Sequence, residues 1–383
     1  MQDASSDAAP PVLKSRLLKQ LEAEIAAAAT PVASAPARAR RAMLLVRHGA
    51  TAEAREALTT LHQLAFHHPS PELGAWLHMA EGLMSYYNGF ITQQARDRLL
   101  RAHAIAGASP ALIEVQALAS AWLTHVAFAR HEPGPMVEHA RRCLDEAQPD
   151  HHGALARLGT ALGMAWHFVG DADVAQRWYL STRRHAAAEG DDASLSALMF
   201  NMASMRASQL RRESLSGQTP SASGTVQGAE LLLSVDSVHH FDEAVGAQVM
   251  NALTPLLRAE VLTVQGAFDE ACRLYEAHLP QAMSLGLERL GSSRLSDVAW
   301  CRANLGQHEA ALRQAIEAEL ELDPECEIDD RAITHSRLAQ TYRLLGDTAE
   351  TDRHQGLADE AWQEFARQQR EWRDLLTAAE LRG

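Results

Sequence analysis

The sequence is poor in aromatic residues, lysine and cysteine, and it has no long apolar run. Aromatic residues make up only 5% of the 383 residues, whereas alanine contributes 70 of them. Sheets take much of their packing surface from aromatic and β-branched residues, while alanine favours closely packed helices. The composition therefore predicts an all-α protein.

The scarcity of lysine accompanies an acidic balance. Lys14 and Lys19 are the two lysines, the other basic residues are arginines, and 49 acidic residues against 35 basic ones give a formal charge of -14. Proteins that bind phosphate backbones or anionic membranes are normally basic. We therefore expect neither nucleic acid nor a membrane as a partner. Arginine and alanine in place of lysine are usual in GC-rich bacterial genomes.

The few cysteines lie far apart and form no CxxC pair, which favours packing roles in a reducing compartment. They are Cys143, Cys272, Cys301 and Cys326. The N-terminal segment carries Asp3 and Asp7 where a signal peptide needs a basic residue, and no stretch reaches about 18 uninterrupted apolar residues. We expect a soluble, cytoplasmic protein.

A repeat with a period of about 40 residues dominates the chain. In each instance a helical stretch ends at a glycine, and a second helical stretch follows with an alanine about five residues later. Three of the intervals between these glycines are 40 residues long. The turn glycines are Gly49, Gly89, Gly170, Gly266, Gly306 and Gly346.

Two further units lack such a glycine. The interval of 81 residues from Gly89 to Gly170 accommodates one unit with a turn near Arg130 and His131. Another unit should turn near Leu210, which is 40 residues after Gly170. The sequence therefore predicts eight helical hairpins in succession.

A small residue precedes seven of these eight turns by seven positions, and Leu123 in the third unit is the exception. A side chain without bulk lets the two helices of a hairpin approach closely. Glycine at the turn suits the left-handed residue that often ends a helix. The small residues are Ala42, Gly82, Gly163, Ala203, Ala259, Ala299 and Ala339.

This spacing resembles the tetratricopeptide repeat family, as in Gly163, Gly170 and Ala175. The usual period of that family is 34 residues, so the longer period is similar to the tetratricopeptide-like arrays of large bacterial signalling proteins. The resemblance covers roughly residues 35 to 365. It implies an α-solenoid in which the first helix of each hairpin lines a concave face that binds a peptide or protein partner.

The same resemblance places candidate partner-binding residues two, three or six positions before each turn. Arginine there could bind a carboxylate, asparagine a peptide amide, and aromatic rings could supply flat contact area. The candidates are Arg47, Tyr86, Tyr87, Thr124, Phe128, His167, Phe168, Glu260, Trp300, Asn304, Gln340 and Arg343.

The repeats divide the chain into five segments. Residues 1–34 form a flexible leader with an accessory helix, and residues 35–211 and 229–369 form the two halves of the array. Residues 212–228 are rich in serine, glycine and threonine, which predicts a loop that is either a passive insertion or a hinge or flap over the groove. Residues 370–383 are predicted to form a capping helix, or else the contact of a homodimer.

One stretch, Leu44–Thr51, resembles the LxRHGxT signature of histidine phosphatases. In that family the histidine, here His48, accepts the phosphate, and the arginine neutralises its charge. A second His-Gly pair at His152 weakly resembles the other catalytic histidine. The residues around the first motif are helical in pattern, and Gly49 is in register with the other turn glycines. The sequence therefore favours a turn over a phosphatase.

No other motif indicates catalysis or a metal. Nineteen histidines include adjacent pairs, but no HExxH or zinc-type spacing of Cys and His occurs. We expect mostly surface or loop histidines, no metal and no cofactor. Acidic residues recur from Glu317 to Asp330, where we expect a solvated loop rim that could also repel or attract a charged partner.

Together these features predict a non-catalytic scaffold for protein interaction or regulation. The alternative is a ligand-sensing module that acts in trans on a signalling enzyme or transcription factor, because similar arrays precede diguanylate cyclase domains and this sequence ends without one. A histidine-phosphatase-like enzyme is a remote third hypothesis.

Overall fold

Seventeen α-helices build the part of the chain that the computed structural model describes: residues 13–88, 92–215, 222–247, 251, 253–283, 291–324 and 326–382. No strand occurs in these residues. After α1, the helices pair in order into eight hairpins, which confirms the predicted all-α solenoid. They are α1 (Arg16–Ala27), α2 (Ala35–His48), α3 (Thr51–His67), α4 (Pro71–Tyr87), α5 (Thr92–Ala106), α6 (Ile113–Ala129), α7 (Pro133–Glu146), α8 (His152–Phe168), α9 (Ala172–Glu189), α10 (Asp192–Leu215), α11 (Ala222–Val245), α12 (Thr254–Gln265), α13 (Phe268–Ala282), α14 (Gly291–Asn304), α15 (His308–Leu320), α16 (Ile328–Leu345) and α17 (Thr348–Ala378).

The predicted turn glycines adopt the left-handed backbone conformation. Their φ angles lie between 74° and 87°, a region that residues with a Cβ rarely occupy. This confirms the register for Gly49, Gly170, Gly266, Gly306 and Gly346. The sixth, Gly89, lies outside the described residues.

The third turn has a histidine where the others have glycine. His131 has a φ of 54°, which for a residue with a Cβ costs about 1 kcal/mol or more. Its ring lies 6.2 Å from that of Trp372, and its Nε2 lies 3.2 Å from a carboxylate oxygen of Glu327. The predicted turn at this position is confirmed, and contacts with the last hairpin help to hold it.

The small residues before the turns lie where the two helices of a hairpin touch. Ala259, Ala299 and Ala339 are fully buried. At Gly163 the ring of Tyr179 on the partner helix takes the space of a side chain, because a Cβ there would lie 2.4 Å from Cε1 of that ring. The predicted close approach is therefore present, and in the fourth hairpin it excludes even a methyl group.

Replacing Gly163 by alanine is expected to lower the free energy of unfolding by about 1–3 kcal/mol, because the buried Tyr179 ring must move. Gly356→Ala is the matched control, since no atom lies within 4 Å of the added Cβ in the middle of α17. That change should raise the free energy of unfolding by about 0.5–1 kcal/mol. Urea denaturation measures both, and shifts of the same sign would contradict the close packing.

The fifth hairpin differs from the prediction. Its two helices have 24 residues each, so α10 continues past Leu210, and the turn predicted there is wrong. Residues 212–215 end α10 and residues 222–228 begin α11, so most of the predicted loop is helical. Residues 216–221 lie outside the described part. Serine and threonine are only slightly worse helix formers than alanine, and packing of α11 against α10 and α12 outweighs that preference.

The last helix, α17, is 31 residues long and combines the second helix of the eighth hairpin with the predicted cap. There is no break at residue 370. Its first half packs on α16, and its second half reaches α7 and α8. The carbonyl of Leu381 accepts hydrogen bonds from the indole N–H groups of Trp166, at 2.6 Å, and Trp178, at 3.1 Å. The apolar face on which the predicted homodimer depended thus packs within the chain.

The N-terminal half also closes on itself. The amide of Leu17 donates to the carbonyl of Gly190, at 3.2 Å. The guanidinium of Arg47 lies 2.5 Å from the carboxylate of Asp191 and 3.0 Å from the hydroxyl of Ser194. Because α2, α4, α6, α8 and α10 contact one another in turn and α10 also contacts α2, the first five hairpins form a ring.

The segment Pro110–Ala129, which contains α6, is long and apolar enough to cross a membrane by length and composition alone. In its 18-residue apolar window, 67% of the residues are buried, and α6 packs against α5, α7 and α8. Burial on several sides accounts for its apolar character, as it does for the core helix of a solenoid.

Candidate functional site

The groove candidates of the first half are largely enclosed by the chain itself. The hydroxyl of Tyr86 lies 3.0 Å from Nε2 of His125, and Thr124 donates to a carbonyl of its own helix. Arg47 is held by its ion pair with the fifth hairpin, and Tyr87 packs edge-on against Tyr86. Contacts within and between neighbouring hairpins occupy Tyr86, Tyr87 and Thr124, and closure of the ring occupies Arg47.

Three candidates of the second half take part in polar contacts inside the array. The carboxylate of Glu260 lies 2.7 Å from the guanidinium of Arg294. The guanidinium of Arg337 lies 5.7 Å from the ring centre of Trp300 and donates to the side-chain carbonyl of Gln340, at 2.9 Å. The contacts of Glu260 and Trp300 join successive hairpins, whereas Gln340 bonds to a neighbour on its own helix.

Of the remaining candidates, some lie near the turns and are covered by α17, and others lie on the surface. Phe128 lies edge-on to Trp372, with ring centres 5.6 Å apart, and Phe168 packs on the same indole. His167 is buried nearby. Asn304 and Arg343 are exposed. The structure therefore does not bring the predicted partner-binding residues together on one open face.

A buried ion network holds the second half together. The carboxylate of Asp297, which is fully buried, lies 2.6 Å from the guanidinium of Arg211 and 2.8 Å from that of Arg337. It also accepts a hydrogen bond from the hydroxyl of Tyr275, at 3.0 Å. This carboxylate joins the fifth, sixth, seventh and eighth hairpins.

The C-terminal end of the acidic run belongs to the interior, so the predicted solvated rim is wrong there. Asp329 and Asp330 are half-buried in the first turn of α16. Asp329 lies 3.5 Å from the guanidinium of Arg212. Burial and the charge of Asp329 raise the pKa of Asp330 to about 7. The closure of the array brings these carboxylates against α10.

Six of the nineteen histidines are buried, on first and second helices of hairpins alike, so the expectation of mostly surface or loop histidines does not extend to these six. They are His48, His125, His139, His167, His335 and His354. Burial is the main cause that lowers the pKa of each of these imidazoles. These side chains are therefore neutral packing groups at neutral pH.

One cluster has the composition of a metal site. Glu319, Glu350 and His354 each place a ligand atom within 4.8 Å of the others. The guanidinium of Arg353 lies 2.7 Å from Glu319 and 2.5 Å from Glu350. It already supplies the positive charge between the two carboxylates, so ion pairing accounts for the cluster.

The phosphatase-like motif lies on α2 and its turn. His48 is 1% exposed, and neither ring nitrogen has a hydrogen-bond partner among the described residues. Burial, followed by the charge of Arg47, lowers the pKa of His48 to about 4. Since a helix stands where the phosphatase hypothesis needs a strand, the motif lacks its required context.

Inside the ring lies a cavity of about 150 Å³. Its walls combine apolar side chains with charged ones from five hairpins. The lining residues are Leu17, Arg40, Met43, Arg47, Leu83, Glu114, Leu118, Trp122, Asp150, His151, His152, Gly153, Ala154, Arg157, Glu189, Asp191 and Ser194. Arg157 is not among the binding residues predicted from the sequence, although an arginine among the small and apolar residues of α8 was the available signal.

The outer surface carries an exposed apolar row on α15. Leu312, Ile316 and Leu320 are 43%, 47% and 79% exposed, and their spacing of four places them on one face of the helix. Beside this row stand exposed Glu317 and Glu321. Leu312 also lines a cleft of 290 Å³ next to α16. The repeat register gave no sign of this row, because it does not belong to the groove positions.

No protein-family model and no curated protein matches the chain. Among solved structures, the chain is similar to the TPR domain of P58(IPK), with 14% sequence identity. The similarity covers 87% of this chain and 88% of that one, with a TM-score of 0.34. The architecture described above rests on the chain's own hairpins.

Proposed function

We propose that the protein is a non-catalytic interaction scaffold and that its partner docks on the apolar row of α15. The row supports this because six of the eleven large apolar side chains that are exposed among the described residues fall between Leu305 and Leu357. Scattered exposed leucines are ordinary, whereas contiguous apolar surface marks interaction sites. The predicted concave groove is a weaker candidate, because the chain's own side chains occupy it.

The chemistry of the row favours an amphipathic helix with basic residues beside its apolar face. Three apolar side chains at a spacing of four offer contacts for the i, i+3 and i+4 anchors of such a helix. Exposed Glu309, Glu317 and Glu321 lie along the same helix and would attract basic residues at the rim. The net charge of the whole chain is also negative, which would likewise attract a basic partner.

Capture experiments on the full chain test this surface. Ile316→Asp and Leu320→Asp are each expected to reduce recovery of the partner from a native extract by about tenfold or more, because an apolar anchor becomes a charge. Leu180→Asp is the matched control, since this leucine is 54% exposed on α9, the second helix of the fourth hairpin. Quantitative mass spectrometry measures recovery. Equal recovery with all three variants would contradict the proposal.

We also propose that the protein works in a reducing, cytoplasmic compartment. The four cysteines are free thiols, and three of them are buried. Burial raises the pKa of Cys143 and Cys301 to about 12, which keeps both thiols protonated. Packing roles of this kind need no oxidant and support the compartment.

A further inference from the structure

The cavity inside the ring contains a buried positive charge that has no anionic partner among the described residues. Arg157 is 4% exposed, and its guanidinium carbon lies 3.9 Å from the ring centre of Trp122. Its Nε is buried without a hydrogen-bond partner, and no ion pair reaches this side chain within the part of the chain that the structure describes. An uncompensated buried charge is costly, so a missing counterion would account for it.

The other two arginines that line the cavity are half-buried and have counterions. Arg47 pairs with Asp191 at 2.5 Å, and Arg40 pairs with Glu189 at 3.1 Å. Burial, followed by the charge of Arg47, lowers the pKa of the Arg157 guanidinium. These two ion pairs cancel in charge, so Arg157 is the charged residue of the inner wall that has no ion pair among the described residues, while Glu114 and Asp150 stand at the rim.

The remaining walls define the shape of a ligand. Leu83, Met43 and Leu118 give the cavity an apolar side, and the indole of Trp122 gives it a flat one. Cavities of about 150 Å³ admit a molecule the size of benzene. The guanidinium carbon lies over the Trp122 ring, and a guanidinium offers N–H groups in the fork geometry that suits a bidentate contact with a carboxylate.

We propose that this cavity binds a small organic monocarboxylate, with its carboxylate on Arg157 and its apolar body against Trp122 and Leu83. The exposed Glu114 and Asp150 at the rim oppose a second negative charge on the ligand. The rim therefore favours a monoanion over phosphate. This site gives the ligand-sensing hypothesis a definite location, and it is separate from the docking row on α15.

Isothermal titration calorimetry with benzoate as the probe tests the site on the full chain. We expect saturable binding of one benzoate per chain, with a rise in Tm of about 2 °C at ten times Kd. Benzamidine, which has the same ring and the opposite charge, should not bind. Inorganic phosphate should bind more weakly than benzoate.

Two variants test separately the charge of Arg157 and the empty volume of the cavity. Arg157→Met keeps the length of the side chain and should weaken benzoate binding at least about tenfold. Leu118→Trp keeps Arg157 and fills the cavity from a half-buried position, so it should also abolish binding. Circular dichroism checks that each variant is folded, and Leu118→Trp carries the test if Arg157→Met is not.

Absence of saturable benzoate binding to the wild type would overturn the proposal. So would unchanged affinity in a folded Arg157→Met variant, because the carboxylate would then bind elsewhere. Tighter binding of phosphate than of benzoate would overturn the assignment to carboxylates. None of these results bears on partner capture by α15, so the two proposals fail independently.

Discussion

Replacing Asp297 by alanine is expected to lower the free energy of unfolding by about 3–5 kcal/mol. The change removes the carboxylate between the buried guanidinium groups of Arg211 and Arg337 and leaves two like charges without their shared counterion. Removing one partner of a buried ion pair costs this much because the other charge stays desolvated. Urea denaturation of the full chain measures the loss.

Asp236→Ala is the matched control for this change. Its carboxylate lies 2.6 Å from the guanidinium of Arg258, but both side chains are substantially exposed, at 46% and 30%. Exposed pairs contribute at most about 1 kcal/mol. A loss at Asp297 no larger than the loss at Asp236 would show that the network does not hold the second half together.

Acidification from pH 7 to pH 5 is expected to destabilise the protein through its buried histidines. An unfolded histidine has a pKa of 6.5, whereas in the folded chain the value is about 4 for His48, His139 and His335. The unfolded chain therefore binds more protons between these values, so stability is complete above pH 6.5 and is lost as the pH falls toward 4. Each of these residues accounts for roughly 2 kcal/mol at pH 5.

Asp330 acts in the opposite direction and offsets part of this loss. Its pKa is raised to about 7 in the folded chain, so its protonation stabilises the fold as the pH falls below 7. A comparison of the stability lost between pH 7 and pH 5 in two histidine variants therefore gives the sharper test. His48→Leu should reduce the loss between pH 7 and pH 5 by roughly 2 kcal/mol, while exposed His68→Leu should leave it unchanged. Equal pH dependence in both variants would contradict a neutral buried His48.

The repeat register could be predicted because its physical cause is local. A left-handed turn needs a residue such as Gly306, and a close helix pair needs one such as Ala299, so both leave a mark at a fixed spacing. The turn at His131 was also predictable, from the interval between its neighbours. At Leu210 the same arithmetic was wrong, because longer helices shift a turn without any change in local composition.

The cavity inside the ring could not be predicted because it depends on contacts between distant units, unlike the row on α15, whose spacing is local. Arg47 and Asp191 are 144 residues apart in sequence and meet only when the ring closes. The environment of Arg157, which has no ion pair in the described part of the chain, likewise depends on the closed ring. A repeat pattern predicts where a side chain lies within its own hairpin. It does not predict which residues from distant hairpins will cover that side chain.

The hydrogen bonds from Trp166 and Trp178 to the carbonyl of Leu381 affect how the protein unfolds. In an open solenoid each unit contacts its neighbours alone, so the terminal unit can fray by itself. Here the end of the chain is bonded to residues more than 200 positions away. Unfolding of the eighth hairpin would expose the fourth, so the two hairpins unfold as one cooperative unit. The contacts between them also raise the contact order, which slows folding.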